Sequence, residues 1–267
     1  MKQSHPLSLD HMTVFDVGPV ELITIAGQLE VPLVSVFVQP PVPGTFPLVA
    51  GEEVIRATQQ RLQDTGVGIY NLECFNLAPD VRIETFRGPL ELGARLGAKS
   101  ATAINFMDPD EARVTDNFAA LCELGREYAL NINIEFISMG FTRTLADALK
   151  LVTRAAQPNG RVLIDCLHFV RTFSTLEELS GIDPRLLGYL QICDGPLATP
   201  ADLDLIAEAT NDRQLPGRGE FPLRQILEFI PTSAPIAIEV PSSVQRGGLP
   251  PLEWARSCMS ATRSLLD

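Results

Sequence analysis

Positive charge is scarce in this chain, and so is histidine. There are 21 Lys and Arg against 33 Asp and Glu, with three His, for a formal charge of −12. Such a field repels a phosphate backbone, and no dense Lys/Arg run reverses it locally, so nucleic acid is excluded as an expected partner. The acidic balance identifies no partner by itself, because many proteins stay dispersed by it. Long apolar runs are missing too. No stretch approaches the roughly 18 to 20 residues that span a bilayer, and the initial Met-Lys-Gln-Ser-His-Pro has no apolar signal core. No membrane partner is expected, and the expected location is cytoplasmic.

Cysteines are few and unpaired in pattern. Cys74, Cys122, Cys166, Cys193 and Cys258 are odd in number and include no CxxC, which excludes a zinc ribbon or dithiol redox motif and fits a reducing compartment. Cys166 and Cys193 lie in apolar runs, where cysteine serves as a small buried hydrophobe.

What is present is a repeating alternation. Apolar, β-rich runs at Leu7 to Leu9, Leu33 to Val38, Gly68 to Glu73, Ser100 to Asn105, Asn131 to Ile137, Val162 to Asp165, Gly188 to Cys193 and Pro235 to Val240 predict eight strands. Amphipathic stretches separate them. Between Asp110 and Leu130, for example, Phe118, Leu121, Cys122 and Gly125 recur at helical spacing. Pro184 and Pro200 sit near expected helix starts, and Gly66, Gly97 and Gly160 just past expected helix ends. Strict alternation implies parallel pairing, because each parallel neighbour requires a long crossover. Eight such units in 267 residues predict an α/β fold, a single (β/α)8 TIM barrel occupying residues 1–267 as one domain. The Pro-rich stretch from Gln39 to Pro47 reads as a loop after the second strand, either an elaborated active-site loop or a rigid surface loop.

Four strand ends carry a polar group that a purely structural strand would not want. They are Glu135 in Asn-Ile-Glu-Phe, Asp165 in Leu-Ile-Asp-Cys, Gln191 in Leu-Gln-Ile-Cys and Glu239 in Ala-Ile-Glu-Val. Side chains alternate along a strand, so Asn133 and Glu135 share a face opposite Ile132 and Ile134, and Ala237 and Glu239 share one opposite Ile236 and Ile238. The polar face points into the barrel. Three buried carboxylates in similar settings need a shared cation or specific partners. An all-oxygen set of two Glu, one Asp and one Gln suits one hard divalent cation, manganese or magnesium first, with cobalt compatible.

Around that set, His168 in Asp-Cys-Leu-His could stand beside the metal as an acid or base. His11 lies just beyond the first strand, which would bring it to the same mouth as a substrate-binding candidate, with a capping or surface role as its alternative. The loop Asp-Arg-Gln-Leu-Pro-Gly-Arg-Gly-Glu at 212–220 offers Arg213 and Arg218 as candidate anion holders, and Arg246 follows Glu239 as another, against an ordinary surface role.

These segments together resemble the xylose-isomerase-like TIM barrels, a superfamily of sugar phosphate isomerases and epimerases, over essentially the whole chain. The resemblance implies a metal held by Glu135, Asp165, Gln191 and Glu239. It also implies that Glu135 and Glu239 lie on opposite sides of the substrate, one removing a proton next to a carbonyl and the other returning it through an enediolate. The family's sugar epimerases usually carry His at the seventh-strand position. Gln191 looks instead like the superfamily's 3-dehydroshikimate dehydratases and some inositol-pathway members, for which a histidine matching His168 would assist proton removal before water departs. The histidine-rich multi-metal set of the AP-endonuclease branch is missing. The expectation is thus a metal-dependent isomerase or epimerase of a sugar-like hydroxy-ketone, with a lyase and a non-catalytic small-molecule-binding barrel as alternatives. The expected partner is a small molecule, and a homo-oligomer is compatible with barrels of this type.

Overall fold

The computed structural model describes residues 5–40 and 46–267. Eight parallel strands, β1 (Leu7–Leu9), β2 (Leu33–Phe37), β3 (Gly68–Asn76), β4 (Ser100–Ile104), β5 (Asn131–Glu135), β6 (Gly160–Asp165), β7 (Leu187–Ile192) and β8 (Ile236–Ile238), close in sequence order. The helices are α1 (Pro19–Gln28), α2 (Glu52–Thr65), α3 (Arg87–Arg95), α4 (Glu111–Glu127), α5 (Leu145–Ala155), α6 (Cys166–Arg171), α7 (Leu176–Ser180), α8 (Leu205–Asn211), α9 (Leu223–Glu228), α10 (Ser243–Arg246) and α11 (Pro251–Leu266). The expected single (β/α)8 barrel is the observed fold. No described helix is long and apolar enough to cross a membrane.

Local chemistry fixes the helix limits. Asp110 caps α4 by accepting from the Ala112 and Arg113 amides, and Thr144 with Asp147 makes a reciprocal capping box at α5. Gly66 and Gly97 end their helices at positive φ, as expected. Gly160 differs: it opens β6, and Ala156 takes the left-handed position that ends α5. Pro184 starts a short 3-10 turn, whereas the helix expected near Pro200 begins at Leu205 behind an Asp204 cap. Of the expected loop from Gln39 to Pro47, residues 41–45 lie outside the described residues, as do residues 1–4 of the N-terminal segment.

The main core fills the layer between strands and helices. Phe118, Leu121 and Cys122 of α4 pack there with Ile132 and Ile134 of β5. Inside the barrel the material changes. Leu163, Tyr189 and Ala237 form a small apolar cluster, surrounded by buried Ser8, Ser35, Asn71, Ser100, Thr102 and Asn133. The register sets Asp165 beside Gln191, and Gln191 beside Ala237, while Glu135 pairs with Leu163. Inward positions of β5 to β8 therefore rise as a staircase of polar groups toward the C-terminal mouth, where barrels of this type place their reactive groups.

Candidate functional site

The staircase ends in a cavity of about 390 Å³, lined at its ionic side by Glu135, His168, Gln191, Arg213 and Glu239. Glu135, Asp165 and His168 each offer an atom within 4.8 Å of one another, an arrangement able to hold a metal ion. Asp165 divides its labour. One oxygen caps α6, accepting from the amides of Leu167 at 2.7 Å and His168 at 3.1 Å. The other accepts from Arg213 Nη1 at 2.6 Å, and the same nitrogen donates to Glu239 Oε2 at 2.9 Å.

Arg213 thus joins the ends of β6 and β8. Its own position is enforced by several contacts. Its Nε donates to the Ala209 carbonyl, and its backbone amide to Pro241. Next to it, Gln214 pairs with Asp194 in an antiparallel bridge. Asp194 then gathers the following loop, accepting from the amides of Gly195, Gly217 and Phe221. Gly219 is needed there, because a Cβ would lie 2.4 Å from Asp194 Oδ1 and 2.5 Å from the Gly195 carbonyl. Helix α8, which supplies Ala209, is held to α6 by the buried pair between Arg171 and Glu208, at 2.6 Å.

His168 stands 3.7 Å from Glu135 through Nε2, and its Nδ1 lies 3.2 Å from the Ser138 hydroxyl. Burial lowers its pKa to about 4 against the opposing pull of Asp165, so it is a neutral imidazole near pH 7. The carboxylates feel the same desolvation in the opposite sense. Burial, reinforced by Asp165, pushes Glu135 up to about 8, and burial likewise drives Glu239 well above the carboxylate range against the pull of Arg213. Asp165 is also desolvated, yet Arg213 and His168 hold it below its ordinary value.

Two carboxylates overlooked in the sequence complete the picture. Asp10, just past β1, is fully buried, and desolvation raises it to about 6. Glu73 of β3 lines the cavity, accepts from Asn71 at 2.5 Å, and is raised well above its usual range, first by burial and then by Asp10 and Glu135. The signal that could have found them is the alternation that revealed Glu135: Ser8 and Asp10 share a face in Leu-Ser-Leu-Asp, as Asn71 and Glu73 do in β3.

The remaining candidates lie elsewhere. His11 is buried and does not line this cavity, its Nε2 donating to the Val17 carbonyl and its ring 5.8 Å from Phe37. Arg218 lines a surface hollow with Arg224 and Arg256 of α11. Arg246 forks onto Asp16 at 2.7 and 2.9 Å. Neither arginine lines the cavity that contains Glu135 and Glu239.

The donor set fits a hard cation. Five buried carboxylates, Asp10, Glu73, Glu135, Asp165 and Glu239, face one arginine, Arg213, across this region. The side-chain oxygen of Gln191 is buried without a hydrogen-bond partner, as is Oδ2 of Asp10. Buried oxygens left short of donors and positive charge are what a divalent ion satisfies.

The model of the xylose isomerase-like TIM barrel family matches residues 27–265. Among solved structures, the IolI protein with a bound zinc atom superimposes with a TM-score of 0.80 at 18% identity, covering 98% of both chains. A xylose isomerase domain protein from Alicyclobacillus acidocaldarius gives 0.80 at 20% identity, again over 98% of both. D-psicose 3-epimerase in the presence of D-fructose gives 0.74 at 15% identity, over 98% of this chain and 99% of that one. At these identities the likeness is one of fold. No curated protein matches the chain by sequence.

Proposed function

The chain belongs to the xylose isomerase-like TIM barrel family, and on that footing we propose that it is a divalent-metal-dependent isomerase or epimerase of a sugar-like hydroxy-ketone. The observation that carries the reading is the pair of buried glutamates, Glu135 and Glu239, reaching one cavity floor from the ends of β5 and β8 with a neutral His168 between strands. Structural neighbours with named sugar epimerase activity support it.

Glu135, Asp165, Gln191 and Glu239 would hold the ion, with His168 alongside. When bound, a divalent cation acts as a Lewis acid on a carbonyl and its neighbouring hydroxyl oxygen, acidifying the intervening C–H. Oxygen donors favour manganese or magnesium and admit cobalt; the zinc in IolI belongs to a neighbour of the same fold. The chain's own groups then move the proton. One glutamate takes it from the carbon next to the carbonyl, and the other returns it to the same or the adjacent carbon. His168, fixed by Ser138, orients Glu135 and supplies a neutral donor to substrate oxygen. Arg213 keeps Glu239 and Asp165 in place at the cavity. The small-molecule scale of the cavity agrees with a metabolite as partner, and its cluster of carboxylates disfavours nucleic acid.

The test is proton exchange. Metal-loaded protein incubated in D2O with a panel of hydroxy-ketones should incorporate deuterium next to the carbonyl, read by NMR, and Glu239→Gln should abolish incorporation while circular dichroism is unchanged. A panel without any metal-dependent exchange defeats the reading in favour of a binding barrel. Gln191 at the seventh strand favours a second reading, a lyase that expels a β-oxygen. A cyclic dehydroshikimate-like substrate would then develop an aromatic ultraviolet band, and its absence removes that reading for that substrate.

A further inference from the structure

The chemistry above uses one side of the cavity, and the opposite side is made of different material. Phe37 and Phe46 lie with ring centroids 4.5 Å apart. With Cys74, Ile104, Phe106 and Ile137 they form a hydrophobic cluster separate from the main core. Met107, exposed after β4, and Ile206, exposed on α8 of the ionic half, add apolar surface to the cavity lining. Away from the ionic floor and Glu73, the hydrogen-bonding side chains among the described lining residues are Asn76 and Thr210. Arg213 is the one Lys or Arg among them, and it is already committed to Asp165 and Glu239.

A polyhydroxy chain laid along such a wall would give up water at each hydroxyl with few partners in return. A terminal phosphate or carboxylate would want a guanidinium or ammonium group not already paired with carboxylates, and the described lining residues supply none. A hydrocarbon surface gains by leaving water there. We propose that the substrate carries its hydroxy-carbonyl group on a compact, uncharged, apolar body, a ring or branched hydrocarbon, rather than on the polyol chain of a free or phosphorylated sugar. The inference rests on the metal-dependent reading for the hydroxy-ketone head group and replaces the sugar-like body of that reading with an apolar one.

Four probes separate the parts: hydroxyacetone as the head alone, D-fructose with a polyol tail, fructose 6-phosphate with a charged tail, and 1-hydroxy-1-phenylpropan-2-one with an aromatic body. Binding to the metal-loaded protein is read by calorimetry, and exchange next to the carbonyl by NMR in D2O. The phenyl ketone should bind at least about 10-fold more tightly than either sugar, the scale of a modest hydrophobic gain in a pocket. Met107→Asn and Ile206→Asn, at exposed lining positions where folding is checked by circular dichroism, should each erase much of that preference. Equal or tighter binding of D-fructose or fructose 6-phosphate overturns the proposal. So does a phenyl ketone that fails to bind while Met107→Asn splits a dimer into monomers, since the wall would then be covered by a second copy. If the binding preference holds but no probe exchanges, the apolar-body inference stands and the proton-transfer reading falls.

Discussion

The two halves of the barrel mouth are built on opposite terms. From β2 to β4 and just past β5, the strand ends present Phe37, Cys74, Ile104 and Ile137, which gain by leaving water. From β5 to β8 they present Glu135, Asp165, Gln191 and Glu239, which lose by it. The apolar half contributes stability by packing. The ionic half has to be held in place: Arg213 bridges Asp165 and Glu239, Asp194 pins the loop that carries Arg213, and the Arg171 pair with Glu208 docks α8. Even so, burial holds Glu135 and Glu239 above their ordinary values against the pull of Arg213. Desolvated carboxylates gathered in a cleft mark a candidate functional site.

The contrast breaks most visibly with a neutral isostere on the ionic side. Glu135→Gln should lower turnover by roughly 10²–10⁴-fold, the scale of a lost general acid or base. The metal-free variant should melt no lower than the parent, because a desolvated carboxylate has been removed. A variant that melts well below the parent would show that Glu135 is structural. On the apolar side the signs reverse. Phe37→Ala should lower unfolding stability by about 3 kcal/mol, measured by urea titration, as a large core ring is lost from between His11 and Phe46.

His11 lies where the halves meet, and it makes the contrast pH-dependent. Burial depresses its pKa from 6.5 to about 4. The unfolded chain therefore takes up a proton between those values that the folded chain refuses, and stability falls as pH drops through that window. At pH 5 the contribution is about 2 kcal/mol. His168 is depressed in the same direction, while burial raises Asp10 to about 6, Glu135 to about 8, and Glu73 and Glu239 above the carboxylate range, and these four work the opposite way. His11→Gln, which can still donate to Val17, should make stability at pH 5 relative to pH 7 more favourable than in the parent by about 2 kcal/mol. An unchanged difference between the two pH values would show that His11 does not contribute to it. The smallest effect is expected outside both halves: Arg246→Ala, which removes the pair with Asp16 and the bond to the Leu249 carbonyl, should alter turnover by less than about twofold.

Much of this was legible in the residues, for a reason the strands make plain. Period-two alternation survives wherever a strand faces apolar helices on one side and the barrel on the other, so Glu135 and Glu239 stood out against their isoleucines. Asp10 and Glu73 follow the same alternation, but β1 is only three residues long, and β3 is irregular in its pairing with β4 between Leu72 and Phe75. Arg213 could be named as an anion holder but not located. Its partners Asp165 and Glu239 are 48 and 26 positions away, and its place depends on the Asp194 bridge folding the long β7 to β8 connection back over the mouth. Gly160 misled because a glycine after a helix usually ends it, whereas Ala156 does so here.

The most direct measurement is calorimetric titration of the metal-stripped protein with manganese, alongside Asp165→Asn and Glu239→Gln. The account predicts about one ion bound per chain, a rise in melting temperature on binding, and severely weakened binding in both variants. A parent protein that takes up no manganese, magnesium or cobalt at millimolar concentration, and gains no stability from any of them, would contradict it.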